Sequence, residues 1–170
     1  MVKRQLELFF QPRIDATTLQ ISAVEALLRW RHPTLGLVSP ARFIPVAERH
    51  GLIETIGGWA LDAALRQAAA WRAAGVKLRV AVNISGVQFR QDDFAHRLER
   101  GLKAHNVPAE GLLCELTQTA AMENTEATRR AFERLGRLGV EVSIDDFAAG
   151  DAGLAALFLA RSRRSTAASA

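Results

Sequence analysis

The strongest constraint on the fold is a repeated order of elements. Three short apolar runs, residues 79–84 (RVAVNI), 112–117 (LLCELT) and 140–144 (VEVSI), each follow a longer segment with helical spacing. Residues 59–74 carry Leu61, Leu65, Ala68 and Trp71 on one stripe, and residues 125–138 do the same with Ala131, Phe132, Leu135 and Leu138. A further helix is predicted over 93–105, stopped before Pro108, and Gly75 and Gly139 fit the ends of their helices. A helix between two strands returns the chain to the edge it left, so the strands run parallel and the crossovers are right-handed. Two earlier strands, residues 6–14 and 21–30, precede a helix opened by Ser39-Pro40, running to Arg49 and closed by Gly51. The expectation is a parallel α/β protein of about five strands. An eight-stranded barrel takes about 250 residues, and this chain has 170. The pattern therefore fits an open doubly wound sheet or an incomplete (β/α)8 barrel.

No apolar run reaches the roughly 18 residues that span a bilayer, and no basic-then-apolar leader opens the chain. No membrane span is expected, and a cytoplasmic location is the default. Basic residues exceed acidic ones by four, but the arginines are spread over the helices, which argues against a nucleic-acid partner and suits a small anionic ligand. The local cluster Arg161, Arg163 and Arg164 belongs to a patternless stretch, 161–170, read as a disordered basic tail after one domain over 1–160. A helix over 152–160 is the last expected element. Cys114 lies in an apolar run and is expected to pack as a small hydrophobe.

Single polar residues interrupt the apolar strands. Glu25 breaks one, Asn83 another, Glu115 a third, and Asp145-Asp146 closes a fourth. Buried carboxylates are expensive unless paired or metal-bound. In a parallel barrel the carboxyl ends of all strands converge on one face, so four strands would deliver oxygen donors to one place. A donor set without histidine or thiolate suits Mg2+ or Mn2+, the cations of phosphate-ester chemistry. His50, His96 and His105 read as surface residues, Arg31 and His32 as shaping the turn before Pro33, and Trp30, Trp59 and Trp71 as packing.

These residues stand in motifs that resemble those of the EAL domain of bacterial cyclic di-GMP phosphodiesterases. VEALLRWRHP around Glu25 is followed by GLVSPARFIPVAERHGLI, then AVNIS, CELTQTA and IDDFAAG, in the family's order from about Leu8 to Leu157. The resemblance implies an incomplete TIM-like (β/α)8 barrel with an antiparallel first strand. It implies that Glu25, Asn83, Glu115 and Asp145 hold one Mg2+ or Mn2+ ion and that Asp146 serves a second. Glu25, Asp145 and Asp146 would then carry the catalysis. Gln11 would meet a guanine base, Leu28 and Arg29 the ligand near a phosphate, and Pro45 the nucleotide wall. The implied reaction opens one phosphodiester bond of cyclic di-GMP with water, giving the linear dinucleotide pGpG.

The sequence also departs from the family. Gln118 stands where a second carboxylate is usual, and the loop after the aspartate pair reads DFAAGDAGL, with Ala148 for a glycine and Asp151, Ala152 and Gly153 for a tyrosine and two serines. No lysine follows Lys103 and no acid follows Asp151, whereas the family continues with a lysine-bearing and a glutamate-bearing strand. The expectation is a C-terminally truncated domain, weak or inactive as it stands, of low stability, or dependent on a second EAL domain or partner chain. The alternatives are a degenerate module that binds the nucleotide or docks a partner, and a remnant of a broken gene.

Overall fold

The computed structural model describes residues 5–15, 17–123 and 125–145. Two long strands open it: β1 (Leu6–Ile14) and β2 (Ile21–His32), paired antiparallel with Gln11 opposite Glu25 and Arg13 opposite Ala23. Among the described residues β1 pairs on one side alone, which is why it tolerates Pro12. A short β3 (Gly36–Val38) folds back on the far end of β2. Helices α1 (Pro40–Arg49) and α2 (Ile53–Ala73) follow, and then β4 (Arg79–Asn83) lies parallel to β2. Next come a one-turn α3 (Gly86–Phe89), α4 (Phe94–His105) and β5 (Leu112–Thr117), parallel to β4. The short α5 (Gln118–Met122) and α6 (Glu126–Leu138) lead to β6 (Glu141–Asp145), parallel to β5. The main sheet order is β1-β2-β4-β5-β6.

Strand alternation splits this sheet into two unlike faces. Ala26, Val80, Val82, Leu112, Cys114, Leu116 and Val142 point to the helices and join a core with Leu61, Leu65, Leu98, Leu102 and Leu135. Cys114 is fully buried there and its thiol is pushed up to about 12, by burial first and by the charge of Glu115 second. It packs and does not react. The other face carries Arg13, Glu25, Arg79, Asn83, Glu115 and Glu141.

The expected strands and helices are present, with differences that have physical causes. α2 begins at Ile53, six residues before the periodic stretch that starts at Trp59. Gly57-Gly58 weakens any local helix signal, but Ile53 is buried and the flank of Gly57 receives the buried side chain of Gln88. β3, α3 and α5 are too short for a periodic signal. α4 ends with Asn106 in the left-handed region, before Val107 and Pro108. The expected helix over 152–160, the loop after the aspartate pair and the tail over 161–170 lie outside the described residues.

Candidate active site

The polar residues of the inner face form a slanted row. Glu25 is opposite Ala81, and Asn83 stands two residues beyond Ala81 on the same face. Glu115 is opposite Asn83, and Asp145 stands two residues beyond Ser143, the partner of Glu115. Each step along the sheet therefore holds or climbs the register, as it must where tilted strands keep side chains at one height of a barrel. Extended the other way, the row passes down to Arg13, opposite Ala23 and two residues below the level of Glu25.

Side-chain contacts join part of this row. The Asn83 amide donates to the Glu25 carboxylate at 3.0 Å between Nδ2 and Oε1. Glu115 is only 3% exposed and pairs with the guanidinium of Arg13, which reaches it from β1, on the far side of β2 and β4. Asp145 is the last residue of β6. Its side chain and Asp146 lie outside the described residues. Among the described residues no three His, Cys, Asp or Glu side chains form a cluster able to hold a metal ion; two carboxylates and one amide oxygen supply the donors that are described.

The turns that leave these strands are fixed by caps. Ser85, two residues after Asn83, accepts from the Val87 amide at the start of α3 and donates to Glu48 of α1 at 2.5 Å. Thr117, two residues after Glu115, accepts from the Ala120 amide and starts α5. The backbone beyond each polar strand end is thereby held in one direction.

The remaining candidates are spread more widely. Gln11 is opposite Glu25 on β1 and shares its face. Arg29 is on that face too, four residues further along β2, with its guanidinium on the Leu28 carbonyl at 2.9 Å and over the Phe9 ring. Leu28 stands on the opposite face, beside Leu8. Pro45 is exposed in the middle of α1, a helix tied to the rim by Glu48. Gln118 turns toward its own helix and donates to the Met122 sulfur at 3.5 Å. His32 accepts from the amides of Thr34 and Leu35 and shapes that turn, while His105 bonds to Asp62 at 2.8 Å. Trp30 and Trp71 make edge contacts with Phe43 and Phe10. Arg13 is the residue that motif reading missed. Its signal was available: it lies two positions after Gln11 in a strand, and so on the same face.

An antiparallel first strand, parallel strands with helical crossovers and a row of oxygen donors on the inner face define part of a TIM-like barrel. The EAL domain family model matches residues 1–161, and the chain belongs to that family. It is 40% identical over 160 residues to the bifunctional diguanylate cyclase/cyclic di-GMP phosphodiesterase MucR of Pseudomonas aeruginosa, covering 94% of this chain and 23% of MucR. It is also 40% identical over 154 residues to the cyclic di-GMP phosphodiesterase NbdA of the same species, covering 90% of this chain and 20% of NbdA. The structure of the MucR phosphodiesterase in complex with c-di-GMP superposes with a TM-score of 0.84 at 40% identity, covering 91% of this chain and 63% of that one. The chain thus spans about a quarter of the length of the curated relatives it matches. No helix among the described residues is long and apolar enough to cross a membrane.

Proposed function

We propose that this chain supplies the β1–β6 portion of a cyclic di-GMP phosphodiesterase site that works with divalent cations. The observation that carries the reading is the contact between Asn83 and Glu25 beside the buried Glu115, on three adjacent parallel strands and one face. Hard oxygen donors in this arrangement fit Mg2+ or Mn2+. Glu25, Asn83, Glu115 and Asp145 would hold one ion and Asp146 would serve a second. Bound there, the ions would make water a stronger nucleophile and offset charge on the phosphoryl oxygens. The residues of the chain do the positioning. Ser85 and Thr117 fix the rim, Gln11 offers an amide beside Glu25, and Arg29 offers a guanidinium to a phosphate further along β2.

The test is hydrolysis of cyclic di-GMP by the purified chain in Mn2+, followed by separation of cyclic and linear dinucleotide. Turnover that falls at least about 100-fold in Glu25→Ala supports the reading. Turnover unaffected by Glu25→Ala removes it.

A second reading, a module that binds the nucleotide without turning it over, is favoured by Gln118, which carries no charge and faces Met122. Heat of cyclic di-GMP binding without formation of pGpG would select it. The proposed ligand in both cases is cyclic di-GMP. A second EAL domain or partner chain completing the barrel, and a cytoplasmic setting, belong to the same proposal.

A further inference from the structure

The pair between Arg13 and Glu115 is unequal. Glu115 is 3% exposed and the Arg13 side chain 44%. A carboxylate buried to that degree needs a counter-charge. An arginine that reaches half into solvent can withdraw to water at little cost to itself, provided another cation takes its place on the carboxylate. The strands between Arg13 and Glu115 carry small buried residues on that face, Ala23 and Ala81, at 7% and 0% exposure. Arg13 also continues the slanted row formed by Glu25, Asn83 and Glu115.

We propose that Arg13 is the resident counter-charge of the rim: it holds Glu115 in the cation-free protein and yields it when a divalent cation binds. The inference rests on the divalent-cation reading of this rim and adds to it a competition within the protein. Two positive charges cannot share one carboxylate at full strength, so the cation binds the fraction of molecules in which Arg13 has moved away. Arg13 therefore tunes cation affinity downward while giving Glu115 a counter-charge of its own. It is a positioning residue, acting through Glu115.

The test is calorimetric titration of the full chain with MnCl2, without nucleotide, for the native protein, Glu25→Ala and Arg13→Met. Arg13→Met keeps a long apolar stem and removes the charge. The expected result is native binding that Glu25→Ala abolishes and that Arg13→Met tightens roughly tenfold, a typical coupling between interacting sites. In EDTA the melting temperature of Arg13→Met should fall by roughly 5 °C, and saturating Mn2+ should close the gap. A purely structural arginine would lower the melting temperature in both conditions and would leave affinity unchanged or weaker; that result overturns the inference while the rim reading stands. Absence of Mn2+ binding in every protein removes both. Should Arg13→Met not fold, Arg13→Gln, which is polar and uncharged, takes its place with the same expected tightening and the same overturning result.

Discussion

The two faces of this sheet are made by alternate residues of the same strands, yet different physics governs each. Toward the helices, Val80, Val82, Leu112, Cys114 and Leu116 exclude water, and among the described strand residues none on that face is Asp, Glu, Lys or Arg. Toward the interior, Arg13, Glu25, Asn83 and Glu115 meet as donors and acceptors. A second charged pair, Arg79 with Glu141 at 2.6 Å, bridges the face nearer the strand starts. Burial of apolar area on one side holds the backbone in register, and that register places the polar row on the other. Stability and chemistry are divided by a period of two.

This contrast can be broken or sharpened by substitution. The largest effect is expected on the helix face: Leu65→Ala, at a position 1% exposed, should cost about 3 kcal/mol of unfolding free energy in urea. A loss under about 1 kcal/mol would mean that the core is not tightly packed. Next is Gly57→Ala, where the new methyl would overlap the buried Gln88 amide. An expected loss of about 2 kcal/mol, against the gain in helix propensity, would be contradicted by unchanged or higher stability. On the inner face Asn83→Ala should change stability by less than about 1 kcal/mol and yet lower Mn2+ affinity at least about tenfold. A large stability loss with unchanged affinity would erase the division between faces.

The smallest effect concerns Asp62, outside both faces. Its hydrogen bond with His105, and secondarily the charge of Arg66, hold its carboxyl below 3.8. A carboxyl lowered on folding adds stability that is complete above its unfolded value and is lost as the pH falls through the folded one. The side chain is half exposed, so screening limits the term to under about 0.5 kcal/mol. Asp62→Asn should lower the melting temperature slightly at pH 7 and make no difference in acid well below the folded value. An equal deficit at both would assign the effect to packing.

Much of this was legible in the sequence because the signals are local. The parallel strands announce themselves as apolar runs, and Glu25, Asn83 and Glu115 stand out as single polar breaks within them. The start of α2 at Ile53 was hidden because Gly57 packs against a side chain from α3, Gln88, a contact that helix propensity does not register. The strand period put Arg13 on the face of Gln11, but its pairing with Glu115 could not be read. Its partner lies 102 positions away, and nothing near either residue marks the other. The opposite placement of Leu28 relative to Glu25 follows from counting along β2, an odd step that a motif read as a string does not weigh.

The antiparallel start of the sheet bears on the order of assembly. β1 and β2 are neighbours in the chain as well as in space, so Gln11, Arg13 and Glu25 can be gathered by closing one short turn. Glu115 joins them only after α2, β4 and α4 have been laid down, a much larger loss of chain freedom. The arginine is waiting before its carboxylate arrives.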